Sequence, residues 1–133
     1  MDEELVQLAI VIRRDLCSRR GKEIAQGSHS AEWWLSDKVK EHLETGKAIC
    51  LTYAERKWIY GSHKKIVFQV NTEGELLKVH EASINNGLRS ILITDSGLTE
   101  FGGIPTNTAI GIGPDFSEKI QEITKTQFSL KLY

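Results

Sequence analysis

The chain predicts an α/β fold, a small mixed, mostly parallel sheet of about four strands with helices on both faces. Three observations predict it. Short apolar runs rich in branched side chains recur at residues 5–13, 65–70, 89–94 and 107–113. Segments with helical signals separate the first three runs, and strand–helix–strand units imply parallel pairing. Only the loop 95–106, with three glycines and a proline, joins the third run to the fourth, which permits an antiparallel pair there.

Each element follows from local chemistry. Residues 5–13 (LVQLAIVIR) are continuously apolar and read as a buried central strand. Residues 14–20 form a basic loop. A helix runs from about Gly21 to about Leu43, with Gly46 suited to its C-terminal cap. A short helix over 52–58 is the reading for the next stretch. Residues 65–70 (KIVFQV) are the second strand. Thr72 and Glu75 fit a capping box, opening a helix whose apolar face holds Leu76, Leu77, Val79, His80 and Ile84. Asn85-Asn86-Gly87 stops it. The third and fourth strands follow at 89–94 and 107–113. After Pro114 a last helix starts, with Asp115 or Ser117 as its N-cap and Ile120 and Ile123 packing inward. The alternating tail 128–133 fits a short added strand.

Composition bounds the function. At 133 residues the chain is read as a single domain over 1–133, with enough length for a real core. A net charge of −1 argues against a protein that coats nucleic acid generally, so contact with a polyanion must come from local clusters. Cys17 and Cys50 make no disulfide framework, and no Cys/His spacing resembles a zinc site. A reduced, cytoplasmic setting is expected, with no cofactor and no metal. No apolar run approaches the roughly 18–20 residues of a membrane span.

The basic loop feeds the helix that carries the candidate chemistry. Five basic side chains stand between Arg13 and Lys22, against the single acid Asp15. At 100° per residue, Lys22, Gln26, His29 and Trp33 share one face of the helix. Ile24, Ser28, Ala31, Leu35 and His42 fall on the other side and form the expected burial stripe. Ser28 there reads as close packing against the sheet rather than as a nucleophile. Ligands in open α/β sheets gather at the carboxyl ends of strands. If the first and third strands are parallel neighbours, Asp95 and Thr99 come close to Lys22, Gln26 and His29. A lysine in the first turn of a helix opposes the macrodipole, which favours a functional role for it. Asp95 also suits a simple turn residue. Arg13, Arg14, Arg19 and Arg20 are either a solvated loop or phosphate contacts. Trp33 and Trp34 point in different directions, one to the core and one outward, with base stacking by Trp33 as an option. Gly111-x-Gly113-Pro114 reads as close packing at a strand end rather than as a dinucleotide loop.

The motifs then line up. Arg13-x-Asp15-Leu16 is followed by Gly21-Lys22-x-x-Ala25-Gln26-x-Ser28-His29-x-Ala31 and by Ile93-Thr94-Asp95-Ser96-Gly97 with Thr99. Ile110-Gly111-Ile112-Gly113-Pro114 and the tail Leu130-Lys131-Leu132-Tyr133 complete the set. In this order, over nearly the whole chain, they resemble the type-II peptidyl-tRNA hydrolases of archaea and eukaryotes. The resemblance implies hydrolysis of the ester between a peptide and the 3′ ribose of tRNA, on a small mixed sheet flanked by helices. It implies Lys22, Gln26, Asp95 and Thr99 as catalytic residues, with Ser28 and His29 in support. The implied partner is peptidyl-tRNA, with no membrane, and a homodimer is compatible. The chain departs from the family pattern at Gln7, where a lysine is usual, at Leu98, where arginine is usual, and at Glu100, where glutamine is usual. Its segment 101–105 is also one residue longer. These changes imply a less positive rim and weaker salt dependence of tRNA binding. Two other functions fit the same scaffold: a non-catalytic RNA- or protein-binding relative, and a hydrolase of another small ester or amide. The joint presence of Lys22, Gln26, Asp95 and Thr99 favours catalysis.

Overall fold

A computed structural model describes residues 5–97 and 101–133. The order is β1 (Val6–Arg13), α1 (Arg20–Thr45), α2 (Tyr53–Tyr60), β2 (Lys65–Val70), α3 (Glu73–Asn85), β3 (Ser90–Asp95), β4 (Thr106–Phe116), α4 (Ser117–Gln121) and β5 (Lys131–Leu132). A wider, π-type helical turn, Glu122–Gln127, continues α4. Among the described residues the five strands form one sheet in the order β3-β4-β1-β2-β5.

The sheet is mixed, as expected, but mostly antiparallel rather than mostly parallel. Only β1 and β2 pair in parallel, across the α1–α2 crossover. β4 runs antiparallel to both β1 and β3, and β5 antiparallel to β2. The physical reason lies in the connections. β3 and β4 are consecutive along the chain with only ten residues between them, so the chain returns antiparallel and inserts β4 between β3 and β1. The expected tail strand is β5.

β1 occupies the centre and is buried on both sides. Its alternating side chains feed two cores. Leu8, Ile10 and Ile12 meet Trp34 of α1 and Trp58 of α2, while Ala9 and Val11 meet Leu76 and Val79 of α3 and Ile120 and Ile123 beyond β4. Helices therefore cover both faces. Gln7, expected at a ligand rim, is fully buried near the start of β1 opposite Asp115. Six residues of extended chain, about 20 Å, separate it from the other end of the strand. Its neutral side chain therefore has no bearing on a rim beside Asp95. Leu98 and Glu100 lie outside the described residues.

The helix ends follow local rules with two exceptions. Gly46 donates its N–H to His42 O at 2.8 Å and closes α1. Thr72 Oγ1 accepts the Glu75 N–H at 3.0 Å, but Glu75 reaches back to the Asn71 N–H, so the box is incomplete. A reciprocal box forms instead at α2, between Thr52 and Glu55. Neither Asp115 nor Ser117 caps α4. β4 runs on through a cis Gly113–Pro114 bond to Phe116, which takes the cap position without a side-chain bond. In α3, Leu76 and Val79 are buried, whereas Leu77 and Ile84 face outward.

The setting of α1 differs most. Ile24 and Ser28, expected inside, are exposed. Glu23, Gln26, Ser30 and Trp34 are buried instead, a rotation of about one residue step. Ala31 and Leu35 pack only at the margin of the core. The cause is a backbone contact. A Cβ on Gly111 would lie 1.9 Å from Ser30 O, so the glycine lets α1 settle on β4 along its Ser30 edge. Of the tryptophan pair, Trp34 is core and Trp33 is 44% exposed.

Candidate active site

β1 and β3 are not neighbours, because β4 lies between them. Both run antiparallel to β4, so their carboxyl ends still emerge at the same edge of the sheet. α1 starts beside that edge. Lys22 lies in its first turn and Gln26 one turn further on, and Asp95 closes β3.

These three side chains meet. Lys22 Nζ lies 2.6 Å from Asp95 Oδ2, and Gln26 Nε2 donates to the same oxygen at 3.0 Å. Asp95 Oδ1 accepts the Gly97 N–H at 2.7 Å. The Lys22 ammonium, then the Gly97 N–H, hold the Asp95 carboxyl below the usual carboxylate range against its partial burial. The lysine that opposes the helix macrodipole is thus offset by a carboxylate at the same helix end. Gly97 is held at φ 81°, and a Cβ there would lie 2.2 Å from Ile104 O. Only glycine keeps the loop closed and its N–H aimed at Asp95.

A further residue, Thr108, escapes sequence reasoning. The β3–β4 register shifts between Ile93 and Thr94, which pair with Ala109 and Asn107, leaving Thr108 without a partner of its own. Such a bulge re-aims a side chain. The buried Thr108 hydroxyl donates to Gln26 Oε1 at 2.7 Å, and Ile93 O lies 3.3 Å away. The Gln26 amide is therefore fixed at both ends, with its NH₂ toward Asp95. Nothing in the β4 sequence marks the bulge.

The remaining candidates divide. His29 lies on the same side of α1 as Gln26 and lines a cleft beside Asp95. Ser28 is exposed and its hydroxyl donates to Ile24 O at 2.8 Å, so it does not pack closely on the sheet as expected. Thr99 lies outside the described residues. Arg13 is engaged within the fold. Its guanidinium grips Asp15 at 2.7 and 3.1 Å and donates to Asn107 O at 2.9 Å. Arg14 donates to Glu23 at 2.6 Å and to the Tyr133 hydroxyl at 2.8 Å. The Tyr133 hydroxyl in turn donates to Glu23. These two arginines tie the loop to β4, α1 and the chain end. Arg19 and Arg20 are exposed at the start of α1. Among the described residues no group of three or more His, Cys, Asp or Glu side chains is placed to hold a metal ion. No helix among them is long and apolar enough to cross a membrane.

Comparison with known proteins identifies the family. The family model described as "Peptidyl-tRNA hydrolase PTH2" matches residues 6–133. The peptidyl-tRNA hydrolase of Methanocaldococcus jannaschii is 35% identical over 120 residues, covering 90% of this chain and 95% of that protein. Those of Methanopyrus kandleri and Haloquadratum walsbyi are 37% and 35% identical, covering 86% and 94% of this chain and 90% and 97% of theirs. With its sheet, its Lys22–Gln26–Asp95 cluster and a match from β1 to the last residue, the chain belongs to the PTH2 family of peptidyl-tRNA hydrolases.

Proposed function

We propose that this chain hydrolyses the ester between a peptide and the 3′ ribose of tRNA, with Lys22, Gln26 and Asp95 as its catalytic residues. One observation carries the assignment of residues: the Asp95 carboxylate holds an ammonium and an oriented amide at a single oxygen, at the sheet edge where ligands bind. Water adds to the ester carbonyl, the bond to the ribose 3′ oxygen breaks, that oxygen takes up one of the water's protons, and the other is released to solvent. The products are a peptide carboxylate and a free 3′ hydroxyl. Negative charge grows on the carbonyl oxygen during attack. The Lys22 ammonium supplies preorganised stabilisation for it, and in acyl transfer such stabilisation often accounts for most of the rate gain. The Gln26 amide holds the carbonyl or the water.

The lowered pKa of Asp95 makes it a weak general base near neutral pH. Its role is to hold the Lys22 side chain in place and to orient the water. An aminoacyl ester is already activated, so positioning and charge suffice. The family resemblance adds Thr99 as the group that positions the terminal ribose, and His29 in support. The cytoplasm, where translation supplies the substrate, is the compartment this reading calls for. Self-association into a homodimer is part of the proposal, and light scattering decides it.

The test is cleavage of a purified N-acetylated aminoacyl-tRNA at low and moderate salt. Wild type is expected to release the acyl amino acid. Lys22→Ala and Asp95→Asn are each expected to lose at least about 100-fold in rate, the scale of one lost oxyanion contact, with unchanged far-UV circular dichroism. Undiminished turnover in either variant removes that residue from the mechanism. Salt-sensitive tRNA binding by wild type without cleavage would make the protein a binding relative instead.

A further inference from the structure

Beside Asp95 the site opens into a cleft of about 530 Å³ between α1 and β3, whose far wall the hydrolytic steps do not use. Its size falls in the range of small-molecule sites, about 300–1,000 Å³. Three features define what it takes. The first is aromatic. Trp33 forms part of the wall and is 44% exposed, although its neighbour Trp34 is buried at 2%. The His29 ring meets Trp33 edge to face, with centroids 5.8 Å apart and planes at 84°, which steadies the indole. The second is polar. His29 Nδ1 is buried and has no hydrogen-bond partner among the described residues. The third is charge. The described lining includes no lysine or arginine, and its one acid, Asp95, is already paired with Lys22, so it offers no cation to a phosphate and admits a neutral planar group.

We propose that this cleft seats the terminal adenosine of tRNA, its adenine stacked on Trp33, which the His29 ring braces. This rests on the hydrolase reading above. The cleft is continuous with the Gln26–Asp95 pair, so a nucleoside held there presents its 3′ ester to Lys22. The peptide changes from one substrate to the next, whereas the terminal nucleoside does not. A braced aromatic wall suits the constant part. The phosphates then lie outside the cleft, on the side of the exposed arginines at the start of α1.

The test uses the trinucleotide CCA as a competitive inhibitor of N-acetylated aminoacyl-tRNA cleavage by wild type, Trp33→Phe and Trp33→Ala. Trp33→Ala is expected to weaken CCA inhibition about tenfold and to raise KM by a similar factor, with a smaller change in kcat. Trp33→Phe retains most of the affinity, because it keeps an aromatic face. The defect is expected to be the same for acetylglycyl and acetylphenylalanyl esters. Equal inhibition of wild type and Trp33→Ala by CCA would overturn the proposal. A defect that follows the acyl amino acid would also overturn it, by making the cleft a wall for the peptide. CCA quenching of tryptophan fluorescence, present in wild type and absent in Trp33→Ala, reads the nucleoside seat without catalysis. Loss of the hydrolase reading and loss of the seat are therefore separable.

Discussion

At the scale of single residues, the site depends on which group holds which. Gln26 has two ends, and each has one partner. Asp95 takes the NH₂ and Thr108 takes the oxygen at 2.7 Å. Without the Thr108 hydroxyl, a buried carbonyl oxygen is left unsatisfied and the amide is free to rotate its NH₂ off Asp95. Thr108→Val, nearly isosteric, is therefore expected to lower kcat about tenfold, the rate equivalent of one hydrogen bond of about 1.4 kcal/mol. Thr108→Ser, which keeps the hydroxyl, is expected to stay near wild type. Single-turnover cleavage of an N-acetylated aminoacyl-tRNA measures both, and equal rates for the valine and serine variants would refute the role. Thr108 shows why part of the site is illegible in the sequence. Lys22, Gln26 and Asp95, the proposed catalytic residues, stand in motifs that can be read. Thr108 is one threonine in an alternating strand, and only a register shift between two strands turns it inward.

At the scale of elements, the ends of segments are legible in the sequence and their rotation is not. Capping and apolar runs are local, and β1, β2, α1 and the tail strand lie close to where those signals put them. The buried edge of α1 is a tertiary fact. Glu23 is satisfied there by Arg14 and Tyr133, Gln26 by Asp95 and Thr108, and Ser30 by the Gln26 carbonyl at 2.9 Å. For Glu23 and Gln26, partners outside the helix make polar residues fit for burial, so an amphipathic reading turns the helix the wrong way. What sets the rotation is Gly111 under Ser30. Gly111→Ala puts a Cβ 1.9 Å from Ser30 O, a contact with backbone that no rotamer relieves. The substitution is expected to destabilise the fold by about 3 kcal/mol, at the upper end of overpacking costs. It also lifts α1 off β4, parting Lys22 and Gln26 from Asp95, so cleavage falls even below the denaturation midpoint. Gly21→Ala is the matched control, because nothing lies within 4 Å of its added Cβ. It is expected to be neutral or stabilising by up to about 1 kcal/mol. Urea denaturation of both reads the contrast, and similar midpoints would refute the packing role.

Across the whole molecule, the ion pairs that hold the loops also set its response to acid. Arg13 lowers the Asp15 carboxyl, and Lys22 and Gly97 lower that of Asp95. Burial raises Glu55, but the Thr52 N–H, Arg89 and Lys38 outweigh it and leave that carboxyl lowered too. These three sites join different parts of the fold: β1 to its loop, α1 to β3, and α2 to the strand β3 through Arg89 just before it. A carboxyl whose folded pKa is lowered contributes stability above its unfolded value, near 4. That stability disappears as the pH falls through the folded value. His80 works in the same direction by another route. Burial against Ser90, 2.6 Å from its Nδ1, lowers its pKa, so the unfolded chain takes up a proton first as pH drops below about 6.5. All four groups bind protons more readily in the unfolded chain, so their effects on stability reinforce one another as pH falls. The urea midpoint is expected to decline gently from about pH 6.5 and steeply below about pH 4. His80→Asn is expected to flatten the upper part of that decline and leave the lower part in place. A midpoint that holds constant or rises between pH 7 and pH 3.5 would contradict the coupling. The lower limb is also where the Lys22–Asp95 pair separates, so cleavage measured in the still-folded fraction is expected to fall with it.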